Sequence, residues 1–341
     1  MSTAKPSSSR LDYLDLTKGL LVCVMVIYHS LNYTNQYHLG FRFFSFLPPS
    51  FVLITGFLLA VVYFPRFQRG EPGLAWRLVF RSLRLLTLFV GLNVIAQWVR
   101  SPAYGQKVGV AEFFAHWQEV FLQGGARLDG GARIAAFEVL LPIAYTIALA
   151  PLLLMLAAKV RWFLPVFCGA FVGLCGWLGY YDYPFINLLF MGAGVIGIFG
   201  GWLVRDPDTL ERFFWPALAA AVAYAVLGTG RGYVYALQMA GSIIAVVFLC
   251  GLSMKLANRF AGAWLIRHAI RVGQYSLVAY VGQIALLQIL VRPLGRPDPV
   301  SWGALAMFGG TLVGMSLLVE TTKWLRGRSA LADRAYKLVF A

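Results

Sequence analysis

Residues 14–33 read Leu-Asp-Leu-Thr-Lys-Gly-Leu-Leu-Val-Cys-Val-Met-Val-Ile-Tyr-His-Ser-Leu-Asn-Tyr. The length and apolarity are those of a membrane span. Lys18 and His29 interrupt the apolar run, 11 positions apart (29 − 18). At 3.6 residues per turn this is about three turns, so both lie on one helix face with His29 about 16 Å further along. Asp15 precedes Lys18 by three positions, shares that face and can pair with it. An ionisable side chain inside a bilayer carries a desolvation cost, which makes it a functional candidate by default.

The rest of the chain supports a membrane reading. It has 341 residues, 60% of them hydrophobic and only 13% charged, more apolar surface than a water-soluble chain of this length can hide. Apolar runs predict spans near 14–33, 44–64, 78–99, 135–158, 162–180, 184–204, 213–228, 232–254, 272–291 and 300–322. The expected architecture is all-α, a polytopic helical membrane bundle of about ten spans. It is read as one domain over 1–341, with a cytoplasmic tail at 1–13, an outer loop at 100–134 and a basic cytoplasmic tail at 325–341.

Basic residues orient the bundle. Arg66, Arg69, Arg77, Arg81 and Arg84 cluster around one loop, and Lys255, Arg259, Arg267 and Arg271 around another. Placing these on the cytoplasmic side puts both termini in the cytoplasm. The net charge of +15 is thereby spread over short inner loops, so no nucleic-acid partner is expected. Met1–Ser9 lacks a small-residue cleavage site, and the first span is expected to stay in the membrane. Cys23, Cys168, Cys175 and Cys250 all fall within spans without metal-ligand or secreted-disulfide spacing; they read as packing residues, and no metal is expected.

In the outer loop, residues 110–122 place apolar side chains at helical spacing with acids opposite. This predicts an amphipathic helix on the outer surface, or a lid over an outward cavity. Gly192, Gly194, Gly197, Gly200 and Gly201, with Gly169, Gly173 and Gly176 in the preceding span, have the spacing that lets helices approach closely. The basic tail, including Lys323, Arg326, Arg328, Arg334 and Lys337, is expected to meet anionic lipid.

Further candidates lie outside the first span. Arg77, Arg81 and Arg84, four and three apart, form one basic helix face suited to bidentate binding of phosphates; lipid-headgroup contact is the plainer alternative. Thr55-Gly56 is a polar, close-packing point expected to face the first span. Glu138, near the end of the fourth span, can orient an imidazole or a substrate hydroxyl, or pair with Arg133 at the interface. Asn32 follows His29 on the outer side. His38, His116 and His268 read as surface histidines.

These residues resemble a known pattern. A basic residue and a His separated by ten residues in the first span, then Arg-x-x-Arg entering the third, is similar to acyltransferase family 3, the integral membrane acyltransferases. Leu14-Asp15-Leu16-Thr17-Lys18-Gly19 resembles the family's Leu-Asp-x-Leu-Arg-Gly opening, and the run from Phe51 to Phe57 its Phe-x-x-Ser-Gly-Phe. The segment Phe137–Tyr145, with Pro142 and the later Pro151, looks like the glucan-succinylating branches. Gly273-Gln274-Tyr275-Ser276, continuing to Tyr280, resembles a late Gly-x-x-Ser-Leu-x-x-Tyr. The likeness covers roughly residues 10–155 and, loosely, 270–290. Lys18 replaces the commoner Arg, Thr55 the commoner Ser, and Gln283 stands near where many members carry a second His. Heparan-α-glucosaminide N-acetyltransferase is a more distant relative of similar logic.

The resemblance implies transfer of an acyl group, acetyl or succinyl, from cytoplasmic acyl-CoA to a hydroxyl of an extracytoplasmic glycan or lipid-linked sugar. It places the protein in a bacterial inner membrane with lipids as partners and leaves a homo-oligomer open. Acetyl-CoA is the first donor to consider. Lys18, Arg81 and Arg84, with Arg77 beside them, would hold the anionic end of the donor. His29 would act as general base or acyl carrier with Glu138 as its catalytic partner, and Asp15, Thr55 and Asn32 would support. Two other readings stand beside it: a transporter or flippase using His29 and Glu138 as a proton relay, and a non-catalytic membrane sensor.

Overall fold

The structure, a computed structural model, describes residues 9–36, 40, 43–99, 109–124, 135–180, 185–204, 208–227, 234–260 and 262–340. These residues are helical or lie in turns, with no strand among them. Nine of the described helices are long and apolar enough to cross a membrane. Apolar side chains such as Ile289, Val313 and Leu317 are exposed on helix faces, and Trp76, Trp162, Trp215, Trp264 and Trp302 are exposed near helix starts. Apolar outer faces with tryptophan at the ends are what a bilayer solvates. This is an integral membrane protein with an all-α, polytopic fold.

The chain divides into two compact units. The first comprises Met1–Leu47, Asp206–Gly232 and Ile243–Asp333. It contains α1 (Ser9–Asn32), the short α8 (Asp208–Arg212), α9 (Phe214–Leu227), the later part of α10 (Tyr235–Phe260), α11 (Trp264–Gln274), α12 (Ser276–Leu294) and α13 (Trp302–Arg328). Helix α1 is its hub, packing on α11, α12 and α13. Buried Leu14, Leu16, Leu21, Val22 and Val26 supply the apolar face that does this.

The second unit comprises Pro48–Arg205, Tyr233–Ser242 and Arg334–Ala341. It contains α2 (Leu47–Gln68), α3 (Leu74–Val99), α4 (Val110–Ala115), a π-helical turn (Glu119–Gln123), α5 (Leu140–Lys159), α6 (Phe163–Tyr180) and α7 (Ile186–Leu203). The last helix, α14 (Ala330–Phe340), straddles the division at Asp333. Helices α3 and α5 pack together, and α7 lies against α5 and α6. Ser82 of α3 donates to the Ala144 carbonyl at 2.8 Å, a polar stitch between two apolar helices.

The glycine stripe on α7 works as its spacing predicts, and its partner is α2. A Cβ on Gly197 would fall on the Leu53 carbonyl oxygen, one on Gly56 would fall on the Gly194 carbonyl, and one on Gly201 would meet the Phe57 carbonyl. The α2 and α7 backbones therefore touch along Leu53–Phe57, so the close-packing point at Gly56 belongs to this pair.

Three elements differ from the sequence expectation. The seventh expected span is a helix of only 14 residues, Phe214–Leu227, about 21 Å long and short of the roughly 30 Å of a hydrocarbon core. The expected span 272–291 is two helices that break at Tyr275; the first, α11, is amphipathic, with Ile266, Val272 and Gly273 buried. The amphipathic helix expected over 110–122 is α4 followed by the π-turn, with Phe113 and Val120 buried against their own unit. Asn187 donates to the Val120 and Phe121 carbonyls at 3.2 and 3.0 Å, and Tyr145 to the Phe121 carbonyl at 2.8 Å. Those carbonyls are drawn out of the helix ladder, and Phe113 and Phe121 seat on Phe89.

Gly197→Ala is expected to force α2 and α7 apart and to destabilise the protein by about 1–3 kcal/mol, as overpacking does. Thermal unfolding in detergent measures it; Gly169→Ala, where a Cβ meets open space, is the control expected to stay within about 0.5 kcal/mol.

Candidate functional site

Lys18 and His29 both lie on α1, as their spacing requires. The Lys18 end is fixed by a backbone contact. A Cβ on Gly19 would fall on the Ala269 carbonyl oxygen, and one on Gly273 would fall on the Asp15 carbonyl. Helix α11 therefore crosses α1 with main chain against main chain, within one turn of Lys18. Beside the crossing, Lys18 Nζ and the Asp15 carboxylate are 2.6 Å apart, each 21% exposed. One position away, Thr17 is fully buried; its hydroxyl donates to Tyr13 O at 2.8 Å and shares a hydrogen bond with the Ser253 hydroxyl at 3.0 Å. This turn of α1 is locked on two sides while its charged pair remains partly open.

The crossing helix brings cations of its own. Arg271 Nε meets Glu320 of α13 at 2.8 Å, and His268 Nδ1 meets the same carboxylate oxygen at 3.0 Å. His268 stacks on Trp264 at 5.4 Å and 11°. It is thus not the surface histidine expected from sequence: its side chain is 13% exposed and ion-paired. Arg326 pairs with Asp333 at 2.8 Å and donates to the Tyr275 hydroxyl at 3.0 Å. The Lys18 end of this unit is therefore richer in basic groups than the first span alone indicates: Lys18, Arg271, His268 and Arg326, with Arg267 exposed on α11. Glu320 and Asp333 set their positions.

Three turns along, His29 is half-buried. Its ring lies edge-on to Tyr28 at 4.9 Å and 6.2 Å from the Tyr280 ring of α12. One turn further, Gln288 of α12 donates to Tyr33 Oη at 2.6 Å. Helix α12 thus runs beside α1 from His29 to Tyr33. Gln283 lies on α12 between those contacts, fully buried, with neither amide atom hydrogen-bonded among the described residues. Asn32 lies against Gly40, where a Cβ would strike its side-chain oxygen.

The other candidates belong to the second unit. Arg77, Arg81 and Arg84 are exposed on α3, and they are not equivalent. Arg66 grips Glu71 through two hydrogen bonds of 2.6 and 2.7 Å, and Arg77 bonds the same carboxylate. The hydrogen bonds from Arg66, then from Arg77, hold the Glu71 carboxyl down at about 2. Arg77 is thereby engaged in clamping the α2–α3 loop. Arg84 donates to the Lys337 carbonyl at 3.3 Å; Arg81 sits between them.

Thr55 donates to Phe51 O at 2.8 Å, so its hydroxyl hydrogen is already used within its own helix. Glu138 opens the turn into α5 just after Phe137, whose φ of 59° is uncommon for an aromatic residue. Asn93 holds this turn from both sides: its amide donates to the Ala136 carbonyl at 3.0 Å and its oxygen accepts from the Ala136 amide at 2.7 Å. Arg133 and His38 lie outside the described residues. His116 is 39% exposed and 3.9 Å from Glu119.

The first unit thus brings together Asp15, Lys18, His29 and Asn32 on one helix, and the second holds Arg77, Arg81, Arg84, Thr55 and Glu138. Sequence reasoning missed Glu320 and Glu71, single acids among basic residues whose pairing only the fold reveals. It quoted Gly273 and Tyr280 within a motif without finding their partners on α1. Compared with known proteins, the chain matches no family model, no curated protein and no solved structure.

Gly273→Ala is expected to push α11 off α1 at Asp15, costing about 1–3 kcal/mol and disordering the Lys18 end; thermal unfolding measures the first effect and amide hydrogen exchange over residues 13–20 the second. The Glu71 clamp gives a pH prediction. A carboxyl held below its ordinary range stabilises above that range, and the contribution is lost only as pH falls toward its folded value of about 2. Hydrogen-exchange protection of the Arg69, Gly70 and Glu71 amides, which bond back to α2, should therefore persist at about pH 4, where an ordinary Glu is largely protonated. In Glu71→Gln it should fall already at neutral pH.

Proposed function

We propose that this is an integral membrane O-acyltransferase that moves an acetyl or succinyl group from acyl-CoA to a hydroxyl of an extracytoplasmic glycan or lipid-linked sugar. Its setting is a bacterial inner membrane with both termini in the cytoplasm. The observation that carries the reading is α1 itself. A partly open Asp15–Lys18 pair stands at one end, and a half-buried imidazole lies among tyrosines three turns away. The ordered resemblance of residues 10–155 to acyltransferase family 3 supports it.

Coenzyme A presents phosphates at one end and a thioester on a long arm. Lys18 offers a point charge for a phosphate, and Arg271 and Arg267 add cations in the same unit. About 16 Å separates Lys18 from His29 along the helix, and the arm spans it in this reading. The acceptor hydroxyl oxygen attacks the thioester carbonyl as the imidazole takes its proton. The C–S bond then breaks, and the proton passes from the imidazolium to the departing thiolate, so that ester and free thiol leave with His29 neutral again. Tyr280 borders the imidazole and fixes its surroundings. The exposed guanidinium face of α3 offers phosphates the same chemistry in the other unit, with Arg81 and Arg84 better placed than the clamped Arg77.

His29→Ala is expected to abolish acyl transfer, by at least the roughly 100-fold of a lost general base, while the protein still elutes as a folded species. Incubation with acetyl-CoA and measurement of released thiol is the direct assay; wild-type-like release by this variant would end the proposal. Proton-coupled solute uptake without thiol release would favour the transporter. Arg84→Ala is expected to weaken acyl-CoA binding several-fold, and an unchanged ligand-induced thermal shift would remove Arg84 from the donor site.

A further inference from the structure

In the second unit, a pocket of about 590 Å³ opens where the α2–α3 loop meets the end of α5. Volumes of this size accommodate ligands. Met155 and Ala158 of α5 contribute to its apolar floor, and Gln68, Glu71 and Lys159 are its polar side chains. It lies at the end of these helices where Trp76 and Trp162 are exposed, the level at which tryptophan marks a membrane–water interface.

Two features say what fits it. The first is charge. Lys159 lines the pocket, is exposed, and makes no ion pair or hydrogen bond among the described residues. Glu71 is already gripped by Arg66 and Arg77, and two guanidiniums on one carboxylate leave that corner net positive. Its Oε2 accepts from Arg66 alone, so one acceptor direction stays open to a hydroxyl. A ligand ammonium would meet net positive charge here, whereas a phosphate with hydroxyls beside it finds a cation and an acceptor. The second feature is continuity with the lipid-facing surface. Leu152, Met155 and Lys159, three and four positions apart on one face of α5, are all exposed. An apolar stripe capped by an ammonium thus leads from the membrane span into the pocket. The matching ligand has its hydrocarbon along the stripe and an anionic head at the top.

We propose that this pocket is a headgroup site for an anionic phospholipid whose head carries hydroxyls, of the phosphatidylglycerol type. The phosphate meets Lys159, the headgroup hydroxyls reach Glu71 and Gln68, and a chain runs down the Leu152–Met155 face. The site does not rest on the acyl-transfer reading. It ties the arginine-rich end of the second unit to a lipid of stated headgroup rather than to anionic charge in general.

The test uses the full chain in detergent, with bound lipids counted by native mass spectrometry. Phosphatidylglycerol should be retained several-fold more than phosphatidylethanolamine or phosphatidylcholine. Lys159→Gln should remove that preference, and Lys159→Arg should keep it. Ala158→Trp, which fills the pocket, should cut retention several-fold; Ala158→Leu replaces it if the tryptophan variant does not elute as a single folded species. Arg161→Gln removes an exposed cation that does not line the pocket, and should leave retention unchanged. Retention without headgroup preference, or a preference that survives either Lys159→Gln or the filled pocket, would overturn the site. An equal loss in Arg161→Gln would overturn it as well, by showing diffuse surface charge. Displacement of the lipid by inorganic phosphate or coenzyme A would assign the pocket to a soluble phosphate and end the lipid proposal. Lipid retention is read without turnover, so failure of the acyl-transfer reading leaves this result untouched.

Discussion

A crossing with no room for a methyl group organises the unit that carries Lys18 and His29. The main chain of α11 touches that of α1 at two points, Gly19 on the Ala269 carbonyl and Gly273 on the Asp15 carbonyl. Each contact requires a glycine, and each lies within a turn of the Asp15–Lys18 pair. In a membrane the hydrophobic effect does little to hold helices together once both are inserted, so close backbone packing and interhelical hydrogen bonds carry the specificity. The crossing supplies the first, and Thr17 on Ser253 supplies the second on the adjoining face. The other unit repeats the device independently, with α2 and α7 in backbone contact from Leu53 to Gly201.

The crossing also explains the basic character of one end of the first unit. Helix α11 is amphipathic, so burying Ile266, Val272 and Gly273 leaves Arg267, His268 and Arg271 on its other sides. Glu320 then gathers His268 and Arg271 onto one carboxylate. Partly exposed charge pairs of this kind contribute little stability. Their effect is positional, holding side chains that would otherwise sample many rotamers beside the turn that bears Lys18.

Hydropathy made most of this fold legible. Apolar runs located the nine helices, among the described residues, that are long enough to cross a membrane, because a lipid-exposed helix must be apolar along its whole length. The same signal misread 272–291, since an amphipathic helix beside a span blurs into it in any averaged window; Tyr275 is where the two separate. It also missed the fate of individual polar groups. Arg77 and Arg84 look alike along one helix face, yet Arg77 is bound to Glu71, six residues away on a loop whose shape no periodicity encodes. The glycine stripe announced close packing without naming the helix it meets. In the candidate site, the collinearity of Asp15, Lys18 and His29 followed from helix geometry alone. The neighbours that define them, Gly273 on Asp15 and Tyr280 beside His29, lie more than 240 residues away in sequence and needed the fold.

Polar groups along α1 differ in what they do, and the difference points toward His29. At the Lys18 end, Thr17 and Asp15 have partners within the protein. Beyond His29, Tyr33 has Gln288. Between these levels the accounting fails to close: Ser30 and Gln283 are buried with side-chain atoms that bond to no described residue. An unsatisfied buried donor or acceptor costs about 1–3 kcal/mol, a cost that an apolar replacement of similar shape would remove. Stability therefore gives no reason for a serine and a glutamine at these positions. Local rules are broken in this way where a structure has been shaped to receive something, and here the breaks flank the half-buried imidazole.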